Sequence, residues 1–159
     1  MEHYYTNNPT TESREKIINS TIANENLKFY TDNGVFSKES VDFGTKTMLE
    51  SFTTDKENAK VADIGCGYGV ISIFLAKKYP TYKFTMVDVN NRVLELSKKN
   101  IELNNIENEV EVLESSSFDN VEGNFDIVLT NPPIRAGKKI VHKIMTDSYE
   151  HLNAQGELW

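Results

Sequence analysis

From Lys60 onward, short runs of β-branched and aromatic residues alternate with segments in which apolar residues recur at helical spacing. The runs predict strands over residues 60–64, 83–88, 109–114 and 125–130, and the segments predict helices over residues 70–79, 92–104 and 138–152. We expect the apolar stripes to face the core, among them Ile140, Val141, Ile144, Met145, Ser148 and Leu152. The alternation predicts an α/β fold, a mainly parallel sheet with helices on both faces.

The residues before Lys60 follow a different pattern. Residues 14–22 and 27–31 bracket the stretch ANEN and predict a β-hairpin, and the second half of GVFSKESVDFGTKTMLESF predicts a helix. We therefore assign residues 1–36 to a lead-in and residues 37–159 to one domain. The final AQGELW predicts a turn that enters a strand in the last four residues, so we expect the C-terminal strands of the sheet to be missing.

Composition restricts the class of protein. The 159 residues are 38% hydrophobic, which suits one globular domain. The N-terminus lacks a signal-peptide pattern, no apolar run approaches the roughly 20 residues of a membrane span, and Cys66 is a single cysteine, so we expect a cytoplasmic protein. A net charge of −7 counts against a general nucleic-acid coating protein but leaves room for a local basic patch.

The glycines of VADIGCGYGV lie between the first predicted strand of the sheet and its helix. Ligands of parallel α/β sheets bind at the carboxyl ends of strands, and glycines there let a ligand approach the backbone amides. Asp63 and Asp88 stand at the ends of two successive strands, where a carboxylate can accept hydrogen bonds from ribose hydroxyls. The pattern favours a nucleoside ligand.

Two nucleotide-binding motifs are excluded by spacing. The dinucleotide fingerprint G-x-G-x-x-G requires glycine where Val70 stands, which disfavours a dehydrogenase. The AGKK stretch at 136–139 lacks the upstream glycine and the trailing Ser or Thr of a phosphate-binding P-loop.

The stretch VLTNPPI, residues 128–134, ends a predicted strand and carries the candidate chemistry. An exocyclic amino group on a base or an amide is a poor nucleophile because its lone pair is delocalised. The Asn131 side-chain oxygen and the Pro132 carbonyl can accept hydrogen bonds from such a group and orient its lone pair. Pro132 and Pro133 would keep the corner rigid, although a stiff structural turn is the alternative explanation.

VADIGCGYGV followed by MVDVN resembles the first two motifs of class I S-adenosylmethionine-dependent methyltransferases. Over nearly its whole length the chain resembles the catalytic domain of bacterial small-subunit ribosomal RNA guanine-N2 methyltransferases, the methyltransferase small family. NGVFSKESVDFGTKTML, ADIGCGYGVISI, VDVN, FDIVLTNPP and HLNAQGELW occur in the family's order. The resemblance implies a Rossmann-like class I methyltransferase fold, S-adenosylmethionine as cofactor, and ribosomal RNA or the small ribosomal subunit as partner.

The resemblance also implies roles for individual residues. Asn131, Pro132 and Pro133 would form the clamp for the target amine. The implied cofactor contacts are Asp63, Gly65, Cys66, Gly67, Gly69, Asp88, Val89, Ser115, Ser116, Gly44 and Thr45, with Asp88 on the ribose and Ser115 or Ser116 on the adenine. Cys66 is otherwise a small packing residue. The implied substrate contacts are Phe36, Ile134, Arg135, Lys138 and Lys139.

Two features bear on the substrate. Ile134 follows the prolines where amino-methyltransferases more often carry an aromatic residue, so base stacking must be weaker here or come from elsewhere, with Phe36 as a candidate. Arg135, Lys138, Lys139 and Lys143 form a basic stretch without an acid directly beyond the clamp, which favours contacts with RNA phosphates over a merely solvated helix start.

Several alternatives remain open from the sequence. Protein-glutamine N5 and adenine N6 methyltransferases share the Asn-Pro-Pro corner, and a non-catalytic, cofactor-binding RNA-binding or assembly module belongs to a different class. We expect no metal site, because His142 and His151 lack carboxylate partners at ligand spacing. We also expect no membrane partner, and a monomer or a weak dimer.

Overall fold

The computed structural model describes residues 15–32, 41–131 and 137–159. The elements in chain order are β1 (Lys16–Ile22), β2 (Glu25–Thr31), α1 (Phe43–Ser51), β3 (Lys60–Ile64), α2 (Val70–Lys78), β4 (Lys83–Asp88), α3 (Asn91–Leu103), β5 (Val110–Glu114), β6 (Phe125–Thr130), α4 (Lys138–Glu150) and β7 (Leu152–Leu158).

Strands β3 to β7 form one five-stranded sheet in the order β5-β4-β3-β6-β7. All neighbouring pairs are parallel, which confirms the predicted sheet. The chain runs outward from β3 through β4 to β5 and then crosses back to β6 on the other side of β3. The order of the strands therefore reverses at β3, and the carboxyl ends of β3, β4 and β6 meet where α/β sheets bind ligands.

Apolar side chains cover both faces of the sheet. On one face, α1, α2, α3 and the hairpin pack around residues such as Val61, Phe74 and Leu96. On the other face, α4 and the segment before β6 pack around Ala62, Val128 and Ile144. Helices on both faces confirm the second part of the fold prediction.

The predicted hairpin is β1 and β2, paired from Lys16 with Thr31 to Ile22 with Glu25. Its turn is Ala23 and Asn24 alone, both at positive φ (46° and 68°), as a two-residue hairpin turn requires. The expected four-residue loop ANEN is therefore too long, because Glu25 and Asn26 continue the strand. Ile18, Ile22, Leu27 and Phe29 of the hairpin belong to the same core as α2 and α3.

Two asparagines of α3 join this helix to the hairpin. Asn100 accepts a hydrogen bond from the Tyr30 N–H at 2.6 Å and donates to the Tyr30 carbonyl at 3.2 Å, and Asn104 makes the same pair of bonds with Lys28. Because residues 28 and 30 lie on the same edge of β2, the two amides continue its ladder as a neighbouring strand would. Asn100 also donates to the carbonyl of Tyr68 in the glycine loop at 2.8 Å.

The predicted C-terminal helix ends two residues early. The carbonyl of His151 accepts a hydrogen bond from the Phe125 N–H at 2.7 Å, so the chain enters the sheet and Leu152 begins β7. The predicted strand in the last four residues is longer than expected, and its register shifts between the Phe125–Leu152 and Ile127–Glu157 pairs.

The expected apolar stripe of α4 is only partly buried. Ile144 and Ser148 face the core, but Ile140 and Met145 are 50% and 43% exposed. Phe118 and Val121 from the segment before β6 cover part of the same sheet face. Only the side of α4 that carries Ile144 is therefore needed to cover the rest of that face. The expectation that Ile140 and Met145 belong to the core is wrong.

The longest of the described helices have 13 residues. Within the described ranges, none is both long and apolar enough to cross a membrane.

Candidate active site

The glycine loop leaves β3 at the carboxyl edge of the sheet and enters α2. Gly65, Gly67 and Gly69 all have positive φ (75°, 55° and 104°), a conformation that L side chains rarely adopt. The N–H groups of Gly65 and Cys66 both donate to the Val87 carbonyl at 2.9 Å, which holds the loop against β4. The glycines are thus required by the backbone path of the turn.

The loop has an open side and a packed side. A Cβ added at Gly65 or Gly67 would meet no atom within 4 Å. A Cβ added at Gly69 would lie 3.1 Å from Ile73 and 3.3 Å from Met86, both in the core. The first two glycines therefore border the space where a ligand can approach, and the third allows α2 to pack closely against β4.

Asp63 lies fully buried at the end of β3, beneath this loop. Its Oδ2 accepts a hydrogen bond from the Ser72 hydroxyl at 2.7 Å, and its Oδ1 has no partner in the described part of the chain. Burial raises the pKa of this carboxyl to about 7, the nearby Asp88 adds to the rise, and the bonds from Ser72 oppose it. A cationic group placed nearby would shift Asp63 towards its ionised form.

Asp88 ends β4 and is partly exposed. Its two oxygens accept hydrogen bonds from the N–H groups of Gly67 at 3.0 Å and Asn90 at 3.1 Å. Burial raises the pKa of Asp88, while the backbone bonds from Gly67, Asn90 and Val89 lower it. The carboxylate is thereby fixed at the edge of the glycine loop, with the 57% exposed Val89 beside it.

The two serines after β5 differ in accessibility. Ser115 is buried, its hydroxyl donates to the Ser117 carbonyl at 2.9 Å, and it accepts from the Asn120 N–H at 3.0 Å. Ser116 is exposed. Of the pair predicted to contact adenine, Ser115 holds the turn and Ser116 is open to a ligand.

Cys66 is buried within the loop, and its thiol lies 3.9 Å from the Ser97 hydroxyl. Burial, followed by the charges of Asp63 and Asp88, raises the pKa of the thiol well above its ordinary value. Such a thiol is protonated at neutral pH and is a poor nucleophile. Cys66 is therefore a packing residue whose backbone belongs to the loop.

Asn131 follows β6 at the same edge of the sheet. Its Nδ2 lies 2.7 Å from the Thr45 hydroxyl and 3.3 Å from Asp42 Oδ2. Asp42 is the N-cap of α1, where its carboxylate accepts a hydrogen bond from the Thr45 N–H at 3.0 Å. The structure thus brings the predicted residues Thr45 and Asn131 together, with Gly44 in the same helical turn.

Sequence reasoning missed two residues next to this corner. Asp42 stands three residues before Thr45, the spacing of an N-cap, so the helix start was recognisable but the contact with Asn131 was not. Phe43 begins α1 with its side chain 71% exposed, although an aromatic residue normally favours burial. The predicted residues Phe36, Pro132, Pro133, Ile134 and Arg135 lie outside the described residues.

The lysines of the basic stretch differ in their contacts. Lys138 and Lys139 are exposed at the start of α4. Lys143 lies 2.8 Å from both Asp119 and Asp147, and these bonds raise its pKa. The sequence has no acid between residues 131 and 143, but in the fold Asp119 reaches Lys143 from the segment before β6 and Asp147 reaches it from the next turn of α4.

No group of three or more His, Cys, Asp or Glu side chains suited to a metal ion occurs in the described ranges. His151 stacks on Phe118 with ring centroids 4.4 Å apart, and its Nδ1 lies 2.8 Å from the Asp147 carbonyl.

Comparison with known proteins identifies the family of the chain. The family model of the methyltransferase small domain matches residues 26–159. The chain belongs to the methyltransferase small domain family. This membership confirms the resemblance drawn from the sequence, the class I methyltransferase fold, and an S-adenosylmethionine-dependent methyltransferase as the class of enzyme.

Relatives within the methyltransferase small domain family differ in length. The uncharacterized protein YbxB of Bacillus subtilis is 44% identical over 99% of this chain and 79% of its own length. Ribosomal RNA small subunit methyltransferase C of Haemophilus influenzae is 37% identical over 84% of this chain, but this match spans 41% of that protein.

A solved methyltransferase shares the fold. The Thermus thermophilus 16S rRNA N2 G1207 methyltransferase, in complex with S-adenosylmethionine and guanosine, superposes with a TM-score of 0.78 at 22% identity. The superposition covers 91% of this chain and 41% of that chain. At this identity the likeness supports the fold.

Proposed function

We propose that the chain transfers a methyl group from S-adenosylmethionine to the exocyclic N2 of a guanine in small-subunit ribosomal RNA. The Asn131 amide carries the proposal. Its NH2 group is held by Thr45 on α1, so its carbonyl oxygen is left to accept a hydrogen bond from a substrate amine at the carboxyl edge of the sheet.

The residues of the glycine loop fit the cofactor, which is the methyl donor of the family. Open space borders Gly65 and Gly67, and Asp63 Oδ1 is a buried acceptor with no partner in the described residues. In this proposal the carboxylate of Asp88 would bind the ribose, Val89 and Ser116 would contact the adenine, and the backbone of Gly65, Cys66 and Gly67 would contact the methionine end. Ionised Asp63, buried beneath the loop, would attract a positively charged group of the bound cofactor.

The chemistry needs orientation more than a strong base. Bound S-adenosylmethionine would supply an electrophilic methyl group on a sulfonium, with S-adenosylhomocysteine as the neutral leaving group when the bond between sulfur and the methyl carbon breaks. Asn131 Oδ1 accepts one N–H of the target amine, and the Pro132 carbonyl is proposed to accept the other, so that the nitrogen lone pair points at the methyl carbon. The same oxygens stabilise the positive charge that develops on nitrogen, and the surplus proton then leaves to water.

Phe43 is the described residue best suited to stack on the target base. It is 71% exposed and adjoins Asp42, whose Oδ2 lies 3.3 Å from Asn131. Base stacking on an aromatic ring contributes about 1–3 kcal/mol. Phe43 would thus supply the stacking that Ile134 cannot.

Lys138 and Lys139 would contact RNA phosphates. Gly137 is the N-cap of α4, and Lys138 and Lys139 follow Asn131 by seven and eight residues in the sequence. Cations at a helix start oppose the helix dipole, which makes a phosphate partner favourable there.

The substrate class is tested by a competition assay. The chain would be incubated with S-adenosylmethionine labelled in the methyl group and with unmodified small ribosomal subunits, unmethylated release factor and adenine-containing DNA. We expect label in the small-subunit RNA. Label confined to glutamine or to adenine would contradict the guanine substrate, and cofactor binding without transfer to any of the three would favour the non-catalytic module.

A further inference from the structure

We infer that Thr45 and Asp42 are positioning residues that fix the orientation of the Asn131 amide. Neither touches the reacting atoms. The inference rests on the proposed function in one respect, because it takes Asn131 Oδ1 as the acceptor of the substrate amine. It also gives Thr45 a role other than the cofactor contact expected from the sequence.

The direction of the hydrogen bonds follows from the chemistry of Asp42. An ionised carboxylate can only accept, so the Thr45 hydroxyl, 3.3 Å from Asp42 Oδ2, donates its proton to that oxygen. The lone pairs of the hydroxyl then face Asn131, 2.7 Å away, and can only be met by the NH2 group of the amide. In the reverse orientation Asn131 Oδ1 would lie 3.3 Å from the Asp42 carboxylate, which has no proton to donate, and it could be satisfied only by taking the Thr45 hydroxyl proton away from Asp42.

Local structure keeps this arrangement in place. The N-cap of α1 is completed by the Thr45 backbone N–H, so the Thr45 hydroxyl is not needed for capping and is available to Asn131. Gly44 lies between Asp42 and Thr45 in the chain, and a Cβ at Gly44 would approach Asp42 Oδ2 to 3.2 Å. Leu49 anchors the same helix in the core, where it is fully buried.

Loss of the hydroxyl should release the amide. Thr45→Val keeps the size and branching of the side chain and removes the hydroxyl that accepts from the Asn131 NH2 group and donates to Asp42. The amide is then free to turn over and present a donor to the substrate amine, which is itself a donor. We expect the single-turnover rate at saturating cofactor and RNA to fall about tenfold to hundredfold, with the cofactor Kd unchanged.

The experiment compares Thr45→Val with Thr45→Ser, which restores the hydroxyl, and with Thr47→Val. Thr47 is exposed on the same helix, so its variant makes the same chemical change away from Asn131. Rates and cofactor Kd values are measured for each. The Asn131 side-chain NH2 resonances, assigned by their loss in Asn131→Ala, are recorded by NMR in the free protein.

We expect the resonances to move in Thr45→Val, to return towards the wild-type positions in Thr45→Ser and to stay in Thr47→Val, with the rates following. Unmoved resonances in Thr45→Val would overturn the inference whatever the substrate is. A rise in cofactor Kd in Thr45→Val, with the rate at saturating cofactor unchanged, would overturn it in favour of a cofactor contact. If the wild-type chain methylates no RNA, the proposed function fails, and the NMR comparison still decides the orientation of the amide.

Discussion

Asp63 is a carboxylic acid enclosed by the core, and it accepts hydrogen bonds from the side chain and the backbone of Ser72. Its ordinary pKa of 3.8 rises to about 7, chiefly because burial disfavours the charged form. The folded protein therefore keeps a proton at pH values where the unfolded chain has released it. Stability depends on pH through this one residue as well as through the surface groups.

The stability of the cofactor-free protein should fall as the pH rises from about 4 to about 7. The Asp63 contribution is fully present below about pH 4, where the carboxyl is protonated in both states, and its loss is complete once the pH has passed the folded pKa of about 7, where Asp63 ionises inside the fold. Between pH 5 and pH 8 the loss is on the order of 3 kcal/mol. Urea unfolding at both pH values checks this against Asp63→Asn, which should lack this part of the dependence; equal losses in the two proteins would contradict it.

Replacement of Phe43 tests base stacking. We expect Phe43→Ala to raise the KM for RNA by about tenfold, because stacking on one base is lost, and Phe43→Tyr to retain it. Steady-state kinetics at saturating cofactor measures both. Tyr149→Ala is the matched control, since Tyr149 is an aromatic side chain 79% exposed on α4, and a similar rise there would mean that the effect is not specific to the site.

The sequence identifies polar site residues that stand at the ends of recognisable strands. Asp88 is the last residue of β4 and Asn131 follows β6, and both strands are apolar enough to be predicted, so the shared edge of the two residues was predictable. The contact of Thr45 with Asn131 was not, because it depends on how α1 packs near β6, and an N-cap pattern specifies only local structure. The open space beside Gly67 and the close packing beside Gly69 could not be predicted either, because both depend on the path of the backbone through the loop.

At the scale of elements, α3 connects the hairpin to the glycine loop. Asn100 is fully buried and bonds to both backbone groups of Tyr30 and to the carbonyl of Tyr68. The hairpin thus packs as part of the domain that forms the site. A substitution at this junction should destabilise both the hairpin and the glycine loop.

Asn100→Ala should lower the free energy of unfolding by about 3 kcal/mol, because two partly buried backbone groups of Tyr30 and the buried carbonyl bond of Tyr68 lose their partner. Chemical denaturation measures the loss, and hydrogen exchange should show faster opening of β2. Glu102→Ala, an exposed change on the same helix, should stay within about 0.5 kcal/mol. A loss of similar size in both variants would refute the role of Asn100.

The two ends of the basic stretch should differ in RNA binding. Lys138→Ala and Lys139→Ala should each reduce the slope of log K against log salt by about 1, as expected for one lost phosphate contact. Lys143→Ala should change the slope less, because Lys143 is paired with Asp119 and Asp147. Binding isotherms at several salt concentrations measure the slopes, and an equal effect of all three would contradict this division.

Element boundaries show where sequence periodicity stops being informative. Strands 60–64, 83–88 and 125–130 were predicted with their observed bounds, since buried parallel strands are continuous apolar runs between polar ends. Leu152 was assigned to the preceding helix because it satisfies the helical spacing. Its place in β7 depends on the hydrogen bond between His151 and Phe125, which only the folded sheet provides.

For the whole molecule, the sheet collects at one edge a glycine loop, a fixed carboxylate and an oriented amide. The net charge of −7 is compatible with RNA as a substrate, because the exposed lysines of α4 follow the Asn131 corner. At this edge, we propose, the Asn131 amide orients a guanine amine for methyl transfer.

The most direct test compares the wild-type chain with Asn131→Ala on unmodified small ribosomal subunits, with the RNA digested to nucleosides and analysed by mass spectrometry. The account predicts N2-methylguanosine from the wild type, its loss in Asn131→Ala by at least a factor of about 100, and the same cofactor Kd in both. N2-methylguanosine formed equally well by Asn131→Ala would contradict it.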